Sequence, residues 1–108
     1  MSYNVEVTES ARRRLGSLPS DLQRRLKPII YSLRENPRPP GAIKMRGAEK
    51  LYRMRSGDFR IVYTIVDDRL LVLVLTIAPR DEAYSQKETR AVRKMLKDWL
   101  RVRRSPDN

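Results

Sequence analysis

The feature that most limits the fold is an apolar run at residues 70–78, in which Thr76 is the one polar side chain. A strand places alternate side chains on opposite faces of its sheet. One face is predicted to carry Leu71, Leu73, Leu75 and Ile77, and the other Leu70, Val72 and Val74. Both faces then need an apolar cover, which predicts a sheet enclosed between two layers. Helices near the N-terminus can cover one face, so a C-terminal helix or a partner must cover the other.

The start of the chain predicts a strand and a short helix. Tyr3, Val5 and Val7 alternate with polar residues, which is the period of a half-buried strand. Thr8 is a residue type that caps helices, and a short helical pattern follows it. The sequence therefore predicts a strand that leads directly into a capped helix.

A second helix is predicted from Ser20, because Ser20 and Gln23 have the spacing of a capping box. Pro28 lies inside this helix and is expected to kink it. The apolar stripe of the helix consists of Leu22, Leu26, Ile29, Ile30 and Leu33. The two helices are expected to form an antiparallel pair on one face of the sheet.

The second half of the chain changes to period two and then returns to a helical pattern. Strands are predicted at residues 51–56, 59–66 and 69–78, joined by two-residue turns at Gly57-Asp58 and Asp67-Asp68. Ser85 and Glu88 have capping-box spacing, and the stripe that follows consists of Val92, Met95, Leu96 and Trp99. The order β-α-α-β-β-β-α predicts an α+β fold, with two N-terminal helices packed on a mostly antiparallel four-stranded sheet and a C-terminal helix.

Charge points to a polyanionic or acidic partner. The 108 residues include 24 Lys or Arg against 13 Asp or Glu, a formal charge of +11. Residues 87–108 alone carry eight basic and three acidic side chains. Lysine and arginine that neutralise phosphates gain affinity through counterion release, so a nucleic acid is one candidate partner. An acidic protein is the other.

Missing residue types narrow the chemistry. The chain has no Cys and no His, which excludes disulfides and removes the commonest general base and zinc ligand. No carboxylate spacing or glycine-rich loop suggests a metal or nucleotide cofactor, and we predict neither. The longest apolar run is too short to cross a membrane and the N-terminus lacks the pattern of a signal peptide. We therefore expect a soluble, cytoplasmic protein.

Three arginines are predicted to share one face of a hairpin. If Gly57 and Asp58 form a two-residue turn, Arg55 lies opposite Arg60, and Arg53 is on the same face. Like charges opposite each other destabilise a sheet. An anionic ligand would offset that repulsion, whereas the alternative is that the three side chains are solvated on an open face.

Two further residues follow the last predicted strand. Arg80 and Tyr84 are expected at the rim of the same sheet, where they would complete a phosphate-sized site with the three arginines. Tyr52 and Tyr63 fall on the opposite face and are predicted as core residues. Asp81 and Glu82 stand beside Arg80, which favours salt bridges over an acid and base pair.

The same residues resemble a known family. Met45-Arg46-Gly47, the Arg-x-Arg-x-Gly-x-x-Arg-x-x-Tyr spacing from Arg53 to Tyr63, Ala78-Pro79-Arg80 and Tyr84-Ser85 are similar to the signature of the RelE/ParE toxin superfamily. The resemblance covers residues 3–86. It implies a ribosome-dependent endoribonuclease that cuts mRNA and is held inactive by a cognate, acidic antitoxin. We predict a toxin core at residues 1–86 and a basic C-terminal helix and tail at 87–108 within the same domain.

The resemblance also implies roles for individual residues. The predicted catalytic residues are Arg53, Arg55, Arg60, Arg80 and Tyr84. The residues predicted to contact RNA or the ribosome are Lys44, Arg46, Lys50, Arg90, Arg93, Lys94 and Lys97. The predicted antitoxin interface consists of Leu96, Trp99 and Leu100. For the C-terminal helix, the alternative is that its apolar stripe packs on the sheet while its charges are solvated.

The expected mechanism needs no metal. The substrate's 2′-hydroxyl attacks the adjacent phosphate, and arginines stabilise the negative charge that develops there. Arginine is a poor base, so Tyr84 is the candidate base, because nearby positive charge favours the phenolate. Tyr84 could instead stack on a base of the RNA. The alternative functions are a ParE-like inhibitor of DNA gyrase, which cleaves nothing, and a simple nucleic-acid-binding module.

Overall fold

The structure is a computed structural model that describes residues 2–45, 50–79 and 86–104. Its strands are β1 (Asn4–Val7), β2 (Ile43–Lys44), β3 (Tyr52–Ser56), β4 (Phe59–Val66) and β5 (Leu71–Pro79). Its helices are α1 (Glu9–Gly16), α2 (Ser20–Ser32) and α3 (Gln86–Arg104), with a 3₁₀ helix at Asp67–Arg69 between β4 and β5. Within the described ranges, no helix combines the length and apolar character that crossing a membrane requires.

The five strands form one sheet in the order β1-β5-β4-β3-β2. β1 runs parallel to β5 and every other pair is antiparallel. The α+β class and the mostly antiparallel sheet are confirmed, but the sheet has five strands where four were predicted. The additional strand β2 has only two residues, which is too short to show a period-two pattern in the sequence.

Apolar clusters lie on both faces of the sheet. The first packs under α1 and α2, and its buried members are Ala11, Leu26, Ile30, Leu33, Ile61, Tyr63, Ile65, Val72, Val74 and Ile77. The second packs under α3 and consists of Leu51, Val62, Leu73, Leu75, Val92 and Leu96. The sheet is therefore enclosed between two layers of helix, and α3 provides the cover that the apolar run requires.

A β-bulge interrupts the pairing of β4 with β5. Val62 pairs with Thr76, but the next residue, Tyr63, pairs with Val74, so Leu75 is an extra residue of β5. A bulge changes which side chains face each side of a sheet, because the alternation of the bulged strand resumes one residue later.

The bulge makes one sequence prediction wrong. Ile77 was expected on the same face as Leu73 and Leu75, whereas it belongs to the first cluster and those two leucines belong to the second. The strict alternation holds up to Leu75 and fails beyond it. A bulge depends on the partner strand, so the apolar run itself carries no sign of it.

The N-cap of α1 agrees with the sequence prediction, and the N-cap of α2 differs from it. Thr8 caps α1, since its hydroxyl oxygen accepts a hydrogen bond from the Ala11 amide at 3.1 Å. The capping box predicted for α2 is wrong: Pro19 is the N-cap, and the Gln23 side chain donates to the Leu18 carbonyl at 2.8 Å. The restricted backbone of Pro19 fits the extended N-cap position, so Ser20 is already helical. α2 continues through Pro28.

The connection from β4 to β5 also differs from the prediction. Asp67 and Asp68 do not form a two-residue turn, since both belong to the 3₁₀ helix and the chain reverses at Leu70, whose φ is 50°. Val66 and Leu71 are therefore the first pair beyond the connection. The capping box predicted at Ser85 and Glu88 lies outside the described residues.

Candidate functional site

The hairpin of β3 and β4 sets the positions of the three predicted arginines. Its turn is Gly57-Asp58 as predicted, and Arg55 pairs directly with Arg60. Gly57 has a φ of 58°, a conformation that glycine adopts without steric cost. The predicted register is therefore confirmed, and Arg53, Arg55 and Arg60 lie on one face of the sheet. We refer to these three residues as the arginine cluster.

The arginine cluster lies on the same face of the sheet as α3, toward the end of the hairpin. Arg53 is opposite Val62, which belongs to the apolar cluster beneath α3. Arg60 is only 4% exposed, Arg53 is half-buried and Arg55 is exposed. The cluster therefore extends from the edge of the core to solvent, with one guanidinium held inside the protein.

The bulge contributes to this arrangement. It places Ala78 opposite Arg60, and an unbulged continuation of the Tyr63–Val74 pairing would place Ile77 there. Ala78 presents only a methyl group beside the arginine, so no branched side chain competes with the guanidinium for space. The position of Ala78 opposite Arg60 depends on the pairing of two strands, so no pattern within one segment of the sequence indicates it.

Three arginine side chains on one face offer donors of the kind that bind a phosphate. Arginine stays protonated at physiological pH and offers five N–H donors in a planar fork. Two parallel N–H groups can bind two phosphoryl oxygens at once. Arg55 also donates from Nε to the Gly57 carbonyl at 3.4 Å, which links its side chain to the turn. The geometry suits binding of an anion more than removal of a proton.

A fourth arginine, which the sequence analysis did not single out, lies at the same turn. A Cβ built on Gly57 would stand 3.4 Å from Nη1 of Arg25, so this side chain of α2 reaches the end of the hairpin. Sequence patterns mark Arg25 only as an exposed helix residue. Its position beside the β3–β4 turn follows from the packing of α2 on the sheet.

Several predicted site residues lie outside the described residues. These are Arg80, Tyr84 and Arg46. β5 ends at Pro79, opposite Phe59 at the hairpin turn, so the chain leaves the sheet at the end that holds the arginine cluster. The catalytic roles of Arg80 and Tyr84 stay predictions.

The predicted RNA contacts divide between a groove and a helix. A groove of about 410 Å³ is lined by Lys44 and Lys50, by Tyr52, and by Leu96 and Leu100 of α3. None of the three residues of the arginine cluster lines it. Arg90, Arg93, Lys94 and Lys97 are exposed on α3. Lys44 and Lys50 therefore line a groove that the arginine cluster does not share, and the RNA contacts of all these residues stay predictions.

The residues predicted for an antitoxin interface belong partly to the protein's own core. Leu96 is buried in the second apolar cluster, and Trp99 and Leu100 are partly buried against it. The interpretation in which the stripe of α3 packs on the sheet is confirmed for these residues. Their contact with an antitoxin stays a prediction.

A network of polar side chains joins the opposite end of the sheet. Arg38 donates from Nη2 to Asp67 Oδ2 at 2.8 Å and from Nη1 to Oδ1 at 3.3 Å, and the Tyr3 hydroxyl donates to Oδ1 at 2.9 Å. The guanidinium of Arg38 lowers the pKa of Asp67, and the Asp67 carboxylate raises the pKa of Tyr3. Arg38 also lies over the ring of Tyr52. The network ties the loop after α2 to the start of β1 and the 3₁₀ helix.

Tyr63 connects this network to the core. Its ring stacks on Tyr52 with centroids 5.8 Å apart, and its hydroxyl donates to the Pro37 carbonyl at 2.8 Å. Burial raises the pKa of Tyr63 to about 12. Tyr52 and Tyr63 are core residues as predicted, so neither acts in the arginine cluster.

Residues 5–84 match the family described as "ParE toxin of type II toxin-antitoxin system, parDE". This chain belongs to the RelE/ParE toxin superfamily. The resemblance inferred from the arginine spacing is therefore confirmed.

Individual RelE/ParE proteins resemble the chain over most of their length. The mRNA interferase toxin RelE of Escherichia coli K12 is 31% identical over 100 residues, which is 89% of this chain and all of that protein. A mutant of Escherichia coli RelE in the free state matches with a TM-score of 0.70 at 26% identity, covering 88% of this chain and 98% of that one. The RelE–RelB complex from Pyrococcus horikoshii matches with a TM-score of 0.66 at 30% identity, covering 74% and 97%.

Proposed function

We propose that this protein is a toxin that cleaves mRNA on the ribosome and is neutralised by an acidic antitoxin. The observation that carries the proposal is the arginine cluster, in which Arg53, Arg55 and Arg60 share one face of the β3–β4 hairpin. The similar Escherichia coli protein is named an mRNA interferase, which supports RNA as the substrate.

In the proposed reaction the RNA supplies its own nucleophile. The 2′-oxygen forms a bond to the adjacent phosphorus, and the bond from phosphorus to the 5′-oxygen breaks. The 2′-hydroxyl proton passes to Tyr84 acting as a phenolate, and the 5′-oxygen, whose negative charge Arg80 stabilises, takes up a proton from water. The hydroxide that remains accepts the proton from Tyr84. The products are a 2′,3′-cyclic phosphate and a free 5′-hydroxyl.

The arginine cluster acts on the charge that develops during this reaction. Negative charge builds on the phosphoryl oxygens in the transition state, and fixed N–H donors stabilise it without reorganising. Arg60 is suited to this role because burial restricts its movement and excludes water, which strengthens its electrostatic effect. Arg55 and Arg53, nearer to solvent, are suited to guiding the RNA backbone into the site.

Arg55→Ala tests the proposal without disturbing the core, since Arg55 is exposed. Removing one charged contact to the RNA backbone is expected to lower kcat/KM for cleavage about 10- to 100-fold. Single-turnover cleavage of mRNA on programmed ribosomes measures the effect. Arg69→Ala is the matched control, because Arg69 is an exposed arginine in the 3₁₀ helix at the other end of β4. Equal rates for the two variants would contradict the proposal.

Arg60→Lys provides a second test inside the protein. Lysine keeps the positive charge but loses the planar, delocalised guanidinium and its fixed position, so cleavage is expected to fall while the fold persists. Thermal unfolding of the variant distinguishes a lost function from a lost fold. A folded Arg60→Lys protein with full activity would show that any positive charge at this position is sufficient.

The antitoxin part of the proposal is supported by the similar RelE protein of Pyrococcus horikoshii, whose structure is a complex with RelB. The charge of +11 favours an acidic partner. The proposed contact region is Leu96, Trp99 and Leu100 of α3, with the groove that Leu96 and Leu100 line.

The second candidate is a ParE-like inhibitor of DNA gyrase, which the matched family description favours. The two functions give different products in cells. Mapping of mRNA 5′ ends after induction is expected to reveal cuts at fixed codon positions, with plasmid supercoiling unchanged. Relaxed or broken plasmid DNA with intact mRNA would favour the gyrase inhibitor.

A further inference from the structure

α2 carries a basic and aromatic surface that the proposed catalytic site does not use. Arg24, Lys27 and Tyr31 recur at helical spacing and are exposed, and Arg34 follows just beyond the end of the helix. The buried residues of α2 pack into the first apolar cluster on its other side. These four side chains form what we call the α2 surface, and it points away from the sheet.

Tyr31 is the unusual member of the α2 surface. It is 65% exposed, and among the described residues only Ile43 is another large apolar side chain exposed to a comparable degree. The Arg34 guanidinium lies 5.6 Å from the centre of the Tyr31 ring. The pair presents a flat aromatic ring and a flat cation side by side in solvent. The packing of the fold requires neither side chain.

The charges of the α2 surface are available to a ligand. Within the described part of the chain, Arg24 and Lys27 form no ion pair with a carboxylate, whereas Arg12 and Arg13 of α1 each pair with Glu9 at 3.6 Å. An exposed helix face with unneutralised cations attracts a polyanion.

We propose that the α2 surface is a second RNA-binding surface, which holds phosphates on Arg24, Lys27 and Arg34 and stacks a base on Tyr31. Bases of single-stranded or looped RNA stack on aromatic rings and on arginine planes. An acidic protein would bind the same cations, so the effect of removing the ring on RNA binding distinguishes the two partners. The inference rests on the proposed function, which makes RNA the substrate, and extends it to a surface outside the cleavage site.

The first half of α2 approaches the β3–β4 turn, since the Arg25 guanidinium lies beside Gly57. The α2 surface and the arginine cluster lie on opposite sides of the sheet. With a rise of about 1.5 Å per residue, Arg34 lies roughly 15 Å further along the axis from Arg24. The α2 surface is therefore an RNA contact separate from the cleavage site.

The experiment measures binding of the full chain to 30S ribosomal subunits and to a labelled RNA hairpin, at several salt concentrations. The variants are Arg24→Ala/Lys27→Ala, Tyr31→Ala and Tyr31→Phe. The control is Arg12→Ala/Arg13→Ala, which removes the same charge from the neighbouring helix. All of these side chains are exposed, so substitutions there leave the fold intact.

We expect Arg24→Ala/Lys27→Ala to weaken RNA binding about tenfold more than the control and to lower the salt slope by about 1.4 to 1.8. Tyr31→Ala is expected to weaken binding about tenfold, and Tyr31→Phe to restore it, because stacking needs the ring and not the hydroxyl. The cleavage rate at saturating substrate is expected to stay unchanged in the Arg12→Ala/Arg13→Ala control.

Other outcomes would overturn the inference in distinguishable ways. Wild-type protein that fails to bind or cleave RNA would overturn the proposed function itself. RNA cleavage by the wild type, with equal binding by the control and the α2 variants, would overturn only the α2 surface. Loss of binding to poly-glutamate in Arg24→Ala/Lys27→Ala, with no effect of Tyr31→Ala on RNA, would assign the surface to an acidic protein instead.

Discussion

Arg55 and Arg60 face each other across two strands but lie in different environments. Arg55 is in solvent, whereas Arg60 is 4% exposed and lies beside Ala78. Burial of a charged group is costly unless the surrounding protein compensates it. Strand periodicity predicted that the two share a face, but it did not distinguish the buried arginine from the exposed one. That distinction follows from the strand order, because Arg60 lies on β4 between β3 and β5, whereas Arg55 lies on β3 beside the two-residue edge strand β2.

The Tyr63 hydroxyl is expected to contribute to the free energy of unfolding through one buried hydrogen bond. Tyr63→Phe removes the hydrogen bond to the Pro37 carbonyl and is expected to lower the free energy of unfolding by about 1 to 2 kcal/mol. Urea denaturation at neutral pH measures the loss. An unchanged unfolding midpoint would show that water replaces the hydroxyl without cost.

The same variant should alter the response to alkali. Burial raises the pKa of Tyr63 from 10.0 to about 12, so above pH 10 the unfolded chain loses this proton before the folded chain does. Stability contributed by this group is therefore complete below pH 10 and falls as the pH rises toward 12. The difference in stability between wild type and Tyr63→Phe is expected to shrink over that range.

Secondary-structure elements were predicted best where local chemistry decides them. Thr8 caps α1 because its hydroxyl reaches an amide three residues ahead, and Gly57 forms a tight turn because glycine accepts a positive φ. The predictions failed where a neighbour decides the outcome. Pro19 is the N-cap of α2, where Ser20 was predicted. The connection at Asp67 is a 3₁₀ helix, where a two-residue turn was predicted.

The 3₁₀ helix is held by the network around Asp67, and this predicts a response to acid. Arg38 holds the pKa of Asp67 below 3.8, its ordinary value. The contribution of the Asp67 carboxylate to the free energy of unfolding is therefore present above pH 3.8. It is lost as the pH falls through the lower pKa that Asp67 has in the folded protein. Asp67→Asn is expected to be slightly less stable than wild type at pH 7 and equal to it at the acid end. Urea midpoints between pH 2 and 7 measure this, and a constant difference across the range would contradict the assignment.

At the scale of the whole molecule, α3 completes the core. Val92 and Leu96 pack against Leu73 and Leu75 on the face that α1 and α2 leave uncovered. A sheet with apolar side chains on both faces needs this second layer, since exposed apolar area of that size favours association. The C-terminal helix is therefore part of the fold as well as a candidate binding surface.

Leu96→Ala measures that contribution. Truncating a buried leucine is expected to lower the free energy of unfolding by about 2 to 5 kcal/mol, because apolar burial is lost and a cavity remains. Arg93→Ala on the exposed side of α3 is the control, with an expected change within about 0.5 kcal/mol. Denaturant unfolding of both variants provides the comparison, and equal stabilities would mean that α3 does not pack on the sheet in solution.

The sequence by itself determined the three helices, four of the five strands, the register of the β3–β4 hairpin and the need for two covering layers. Each follows from local rules: side-chain alternation, helical spacing, capping and turn chemistry. Tertiary structure decided the bulge in β5, the burial of Arg60, the position of Arg25 at the turn and the exposure of Tyr31. These depend on contacts between residues distant in the chain, and a pattern within one segment carries no information about the partner against which it packs.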